Sequence, residues 1–295
     1  LENRPNNLEE EKNLMRIVMD DVGDIPADLI EKYNITVLPV NIMFGTEQFL
    51  SGVEMTSDAF YKKAKQVTAE NFPKTSQPTP FQFVECYEKI LAEGETEIMA
   101  ITVSQKLSGT HESAVIAHKE LEGRGTFHLF DSQAGSAAQG YMALEAARMA
   151  ENGADAGAIL ARLHKMREEM AVIFTIDSLE YAVKGGRVST AKSLMASMLN
   201  IKPILKLADG AIVEAGRVRT RKKALAHIVL QIQEAVDKKP IKLAVMHAGV
   251  PDEAAQLQQM ARDELNASEL IVVDMAVAVA INMGPGALGI AAIPE

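Results

Sequence analysis

An α/β fold in two lobes is predicted, with a parallel Rossmann-like sheet in the N-terminal lobe and a mixed sheet with helices in the C-terminal lobe. Three observations carry this prediction. Strand-like and helix-like segments alternate from residue 15 to 149 with polar turns between them, the pattern of βαβ units. The alternation breaks around Asn152-Gly153, and a hairpin signal then interrupts the helices of the second half. The boundary is placed within 153–170, giving lobes at 15–165 and 166–295.

The elements follow in order. MRIVM (15–19) reads as a buried strand feeding the loop DDVGDIPADL, with Pro26 in the first turn of a helix over 26–32. ITVLPVNIMF (35–44) is strand-like, but Pro39 argues against a central place in a sheet. Thr56 caps a helix over 57–67. The run from Thr75 to Pro80 is turn chemistry. Within it, Thr79 and Gln82 form a capping box for a helix over 80–92, with Pro80 at its first position. Strands at 97–104 and 126–132 end in polar turns, with a helix from Gly109 to Glu122 between them. Ser136 and Gln139 give a second capping-box pattern for a helix reaching Met149.

In the second half, a helix over 155–169 precedes a strand at 171–177, a short helix near 178–183, a Gly-Gly turn and a helix over 189–199. IKPILKL and AIVEAGRV flank Asp209-Gly210 and read as a hairpin. A helix over 220–237, a strand at 241–247, a helix over 251–265 and a strand at 269–273 follow. Ligands of parallel sheets lie beyond the C-terminal strand ends, so the loops after 97–104 and 126–132 are the first candidates for a site.

Composition narrows the function. Apolar residues make up 47% of 295, yet aromatics are 5%, Trp is absent and Met numbers 15, which suits a pliable aliphatic interior. The net charge of −10 excludes general nucleic-acid binding. A single cysteine, Cys86, excludes an intrachain disulfide and reads as packing. No apolar run is long enough for a membrane span and no secretory leader is seen, so a soluble cytoplasmic protein is expected. Residues 1–14, LENRPNNLEEEKNL, read as a disordered tail or an expression remnant.

Several motifs carry candidate chemistry, each beside a plainer reading. Ser108 is placed as the N-cap of a helix, leaving the amides of Gly109 and Thr110 as an anion site; the alternative is a simple cap. Thr75-Ser76 offers neutral hydroxyls that orient a carboxylate without the charge pairing of arginine, or merely bonds its own backbone. Arg187 after Gly185-Gly186 reaches over a pocket mouth or stands in solvent. Arg217, Arg219, Arg221, Lys222 and Lys223 form a basic patch. Cations at a helix start oppose its dipole, so the patch is read as a docking surface, with a solvated face as the alternative.

Other motifs exclude functions. GPGALG (284–289) matches a dinucleotide pattern, but only six residues follow it, so a close backbone approach near a pocket is the better reading. Asp20, Asp21 and Asp24 lack the further ligands of a metal site and read as helix-start caps and turn formers. There is no GxSxG and no phosphate-binding GxxxxGK[ST]. Ser108 with His111 lacks an orienting acid, so no catalytic residue is assigned.

Taken in order, DDVGDIP (20–26), TSQP (75–78), LSGT (107–110), Asp131-Ser132, KGGR (184–187), NIKPIL (200–205), VRTRKKAL (218–225) and GPGALG (284–289) resemble the DegV family from about Met15 to the C-terminus. Characterised members of that family include the fatty-acid-binding subunits of bacterial fatty acid kinase. The resemblance implies a two-lobed carrier without a cofactor, its acyl chain buried in one lobe and its carboxylate near the junction. Thr75, Ser108 and Gly109 would bind the carboxylate, with Ser76, Thr110, Asn282 and Gly284 beside them. Arg187, Arg217, Arg219 and Arg221 would face the partner, a fatty acid kinase catalytic subunit that phosphorylates the carboxylate. Two positions depart from the family pattern: Asp21 replaces a serine, and Asn282 replaces a histidine. An asparagine amide donates a hydrogen bond but takes up no proton. The rival readings are a lipid sensor or carrier without a kinase, and a Ser108-dependent hydrolase.

Overall fold

The computed structural model describes residues 15–196 and 201–295. The first sheet has the order β2-β1-β6-β7, from β1 (Arg16–Asp20), β2 (Thr36–Leu38), β6 (Glu97–Thr102) and β7 (Thr126–Asp131), and every pair in it is parallel. Helices α1 (Ala27–Lys32), α3 (Pro80–Ala92) and α4 (Thr110–Glu120) belong to its crossovers. The strand-like run 35–44 splits at Pro39. After β2 the chain leaves this sheet and forms β3 (Asn41–Phe44), which pairs with β4 (Glu47–Leu50) and β5 (Lys74–Ser76) in a small antiparallel sheet. Proline has no N–H to continue a ladder, so the break falls where the sequence places it. Helix α2 (Ser57–Ala64) lies between β4 and β5 in the chain and is capped by Thr56.

The second sheet is mixed, with the order β10-β9-β8-β13-β11-β12. It contains β8 (Ala171–Thr175), the hairpin β9 (Lys202–Ala208) and β10 (Ala211–Val218), β11 (Ile241–His247), β12 (Ala267–Asp274) and β13 (Leu288–Pro294). Only the β11–β12 pair is parallel. Helices α9 (Arg221–Val236) and α10 (Pro251–Glu264) pack on it through a core of Ile228, Ile232, Leu243, Val245 and Leu257. Helices α7 (Leu179–Gly185), α8 (Ala191–Ala196) and α11 (Val277–Met283) complete the lobe. The helix expected over 189–199 is thus described as far as Ala196; its remaining residues, like the predicted tail 1–14, lie outside the described residues.

Four elements differ from expectation: β4, then β5, where Thr75 and Ser76 pair with β3 instead of forming a turn, strand β13 and helix α11. Strand β13 is buried at every position and lies between β8 and β11, where the glycine and alanine of LGIAAIP let neighbouring strands approach. A Cβ at Gly289 would stand 2.3 Å from the Phe174 Cβ. Helix α11 follows β12 and is buried along most of its length.

Helix α5 (Ser136–Glu151) lies between the two sheets and is buried nearly all round, as its alanine-rich sequence permits. Gln139 Nε2 reaches Asp20 of β1 at 3.0 Å, and Tyr141 donates its hydroxyl to the Leu243 carbonyl of β11 at 3.0 Å. One apolar core therefore runs through both lobes. Helix α6 (Ala156–Glu169) is capped by Asp155, and its Arg162 bonds Glu145 of α5 and the Pro294 carbonyl of β13.

The capping boxes divide. Thr79 and Gln82 cap α3 as expected. Ser136 and Gln139 do not form a box: Gly135 is the N-cap of α5, Ser136 donates to Asp24 at 2.5 Å, and Gln139 is spent on Asp20. The aspartates are likewise more than turn formers. Asp20 accepts the Val103 amide at 2.8 Å, and Asp24 accepts the Ala276 amide at 2.8 Å across the lobe junction. Cys86 is half-buried, and burial pushes its thiol up to about 11, in keeping with packing. Among the described residues no metal-binding cluster is found, and no helix is long and apolar enough to cross a membrane.

Candidate functional site: an apolar cavity between the lobes

Between the sheets lies a cavity of about 870 Å³, its open mouth included. The second lobe gives it apolar walls: Val172 and Phe174 of β8, Leu207 of β9, Ile212 of β10 and Met246 of β11. Val172 and Phe174 are two apart on one strand and so face the same side, while Ile173 between them joins the core behind the sheet. Helix α11 adds Ala278, Val279 and Met283. Val22, Val40, Val103 and Leu107 close the first-lobe side.

The polar groups in this lining are Thr75, Gln77, Ser108, Ser136, Arg187 and Asn282. Asn282 Nδ2 donates to the Ala278 carbonyl at 2.8 Å and to Thr75 Oγ1 at 3.4 Å, joining α11 to β5. Ser108 Oγ lies 2.9 Å from Thr110 Oγ1. Arg187 is half-buried and donates to the carbonyls of Leu107 and Gly185, at 3.2 and 2.6 Å. Two glycines allow these approaches. A Cβ at Gly109 would meet Gln77 Nε2 at 2.4 Å, and one at Gly185 would meet Asn282 Oδ1 at 2.8 Å.

The structure thus brings Thr75, Ser108, Asn282 and Arg187 to one cavity. It places other predicted site residues elsewhere. Ser76 alternates with Thr75 along β5 and faces a separate surface groove beside Asn41 and Gln82. Ser108 is not an N-cap: helix α4 begins at Thr110 with Gly109 as its cap, and no side chain caps it. Thr110 is fully buried and meets Ser108 rather than lining the cavity. Gly109 stands behind Gln77. Gly284 has φ +84° and packs against Tyr181 and Ser178, shaping the turn after α11 without lining the cavity. Its role is the close backbone approach that GPGALG suggested.

The proposed docking arginines also separate. Arg217 is exposed and ion-paired with Glu214, and Arg219 is exposed. Arg221 is turned inward, toward Glu253, Asp177 and Gly286. The Ser108–His111 pair is not assembled, because His111 Nδ1 lies 2.9 Å from Thr102 Oγ1 and Ser108 is engaged with Thr110. Gln77 was overlooked although it sits inside the TSQP motif; Ser136 carried only the mistaken capping signal.

Three carboxyls behind the cavity wall are perturbed. Burial raises Asp20 to about 6, Asp21 to about 7 and Asp24 to about 8. Asp24 is held beneath Ser136, itself a lining residue. Burial thus favours the neutral, protonated form of Asp24.

The fold and this cavity define a class: two-lobed α/β proteins that enclose an apolar space lined by a few polar groups. The chain belongs to the DegV family, since the model of the family described as "Uncharacterised protein, DegV family" matches residues 15–295. It is 32% identical over 275 residues to a DegV domain-containing protein of Halalkalibacterium halodurans, covering 93% of this chain and 96% of that one. A Thermus thermophilus structure described as fatty acid binding of a DegV family protein is 31% identical with a TM-score of 0.89, covering 96% of this chain and 100% of that one. DegV of Bacillus subtilis, described as a fatty acid binding protein, is 29% identical with a TM-score of 0.84, covering 96% and 99%.

Proposed function

We propose that this protein binds a long-chain fatty acid, buries the acyl chain between its lobes and presents the carboxylate at the mouth to a partner kinase. The observation that carries the reading is an apolar cavity whose few polar groups include Thr75, Ser108 and Asn282, with one half-buried arginine, Arg187. A methylene buried there contributes about 0.8 kcal/mol, so a chain of about 16 carbons grosses on the order of 12 kcal/mol before ordering costs. The headgroup then needs only modest contacts, and the Thr75 and Ser108 hydroxyls supply them. The fatty acid binding described for the Thermus thermophilus and Bacillus subtilis relatives supports the same reading.

In this scheme the chain performs no chemistry. The partner, a fatty acid kinase catalytic subunit in the cytoplasm, transfers the terminal phosphoryl group of a nucleoside triphosphate to a carboxylate oxygen, breaking its P–O bond to release the diphosphate and yielding an acyl phosphate. Arg187 stands at the mouth, and exposed Arg217 and Arg219 provide the docking charge. Native mass spectrometry of the purified protein should find one bound fatty acid. Protein that is empty and takes up no added fatty acid overturns the reading. Charge reversal at Arg219 should weaken capture of the kinase and spare the lipid. One observation favours a second reading, a carrier or sensor without a kinase. Asn282 spends its amide on Ala278 and Thr75 and has no proton to exchange. Lipid-loaded protein that never captures a kinase decides for it.

A further inference from the structure

The basic run around the start of α9 is not one surface. Lys222 and Lys223 are exposed with Arg219, whereas the Arg221 side chain is only 18% exposed. Its guanidinium reaches three places in the second lobe. Nε donates to Glu253 of α10 at 2.5 Å, Nη1 to Asp177 at 3.3 Å, and Nη2 to the Gly286 carbonyl at 2.7 Å. The first residue of a helix is unfavourable for a cation, and two carboxylates here offset that cost. The planar fork with fixed donors accounts for arginine rather than lysine at this point.

Two of the three partners lead to polar residues of the cavity lining. Asp177 stands just before α7, whose last residue, Gly185, packs against Asn282, and Arg187 follows two residues later. Gly286 lies in the turn that ends α11, the helix carrying Asn282. That turn is tightly built. Gly284 and Gly286 have φ +84° and +88°, and Gly286 donates its amide to the Ala248 carbonyl at 2.8 Å. A Cβ at Gly286 would lie 2.8 Å from the Asp177 carboxylate. One guanidinium therefore ties the beginning of α7 to the end of α11, from a place outside the cavity lining.

We propose that Arg221 is a positioning residue that holds Arg187 and, through Asn282, the Thr75 hydroxyl in the arrangement that receives a ligand carboxylate. Its ligand arm rests on the fatty-acid reading above. Arg221 touches no ligand; it acts through Asp177 and the Gly286 carbonyl. Asp177 keeps Lys202 at 2.8 Å when Arg221 is replaced, so the variant loses the tie without stranding that carboxylate.

The experiment compares Arg221→Gln with wild type and with Lys222→Gln, an exposed cation one residue along. Hydrogen exchange without ligand should quicken over 277–287 in Arg221→Gln alone. Affinity for hexadecanoic acid should then fall by roughly tenfold, the worth of one well-aimed charged hydrogen bond. Affinity for hexadecanol, which has the chain but no carboxylate, should stay within about twofold, and Arg221→Lys should recover part of the loss. Equal losses for the acid and the alcohol, or unchanged exchange over 277–287, overturn the proposal. A wild-type chain that takes up neither lipid sinks the fatty-acid reading instead, and the exchange measurement then decides the role of Arg221 alone.

Discussion

The first lobe meets the cavity mainly with residues at the ends of elements, the second mainly with the faces of regular elements. Val22, Val103, Ser108 and Ser136 stand beyond the C-terminal ends of β1, β6 and β7, where a parallel sheet gathers its loops. Val172, Phe174, Met246 and Val279 project from strands and a helix of the second lobe. The difference separates recognition from volume. Loop ends bring small polar groups and amides to one place, while strand faces supply broad apolar wall. Changes on the first side should therefore alter which headgroup is held, and changes on the second which chain fits.

The largest expected effect strikes where α5, the helix between the sheets, packs on the loop 20–26 that reaches Ala276 of the second lobe. A Cβ at Gly140 of α5 would lie 2.3 Å from the Asp24 carbonyl oxygen, so Gly140→Ala must push the loop 20–26 away. A loss of about 3 kcal/mol is expected in urea unfolding, the upper range for overpacking. Unchanged stability would mean this contact yields easily.

The same contact should also respond to pH. Asp24 is raised by burial to about 8, against roughly 3.9 in the unfolded chain. The native state thus keeps a proton that the unfolded chain releases. Its stabilising contribution is full below the unfolded value and is lost as pH rises through about 8. The melting temperature of wild type should fall between pH 6 and pH 9, and Asp24→Asn should flatten that fall. A flat wild-type profile would remove Asp24 as the cause.

Thr75→Ala with Ser108→Ala tests the recognition side. Affinity for a fatty acid should drop by roughly tenfold or more, as two headgroup hydrogen bonds are lost, with little change for the matching alcohol. Equal weakening of both would place these hydroxyls in the scaffold. The smallest change tests the volume side. Ala278→Leu pushes methyl groups into the cavity and should favour shorter chains. Each methylene displaced costs about 0.8 kcal/mol, or roughly fourfold in affinity. A chain-length profile that does not move would show that α11 does not bound the acyl chain.

Much of the fold was legible because its signals are local. The Thr79–Gln82 box, the Asp209-Gly210 hairpin and the alternation up to 149 each depend on a few neighbouring residues, and each is found, the alternation except where β3, β4 and β5 form their own antiparallel sheet. Ser108 was legible as a polar turn beside a helix, whereas Thr75, read as a turn, lies in strand β5 because it pairs with Ile42 of β3. Strand β13 was not, because LGIAAIP has neither alternation nor β-branched density and becomes a strand only between β8 and β11. Ser136 misled because a hydroxyl three residues before a glutamine caps a helix unless something stronger claims both. Here Asp24 takes the hydroxyl and Asp20 the amide. Arg221 looked like surface charge because its acceptors, Asp177, Glu253 and Gly286, lie 44, 32 and 65 residues away.

By itself the sequence determined the two-lobed α/β architecture, the aliphatic character of the interior and the hydroxyl-bearing turns, since each follows from local periodicity, composition and turn chemistry. Only the tertiary structure decided that Thr75 faces the cavity and Ser76 does not, that Arg221 faces inward while Arg219 faces water, and that α5 serves both sheets. These outcomes turn on which distant acceptor or wall a side chain meets once the chain has closed, and that pairing is fixed by packing rather than by neighbours in sequence.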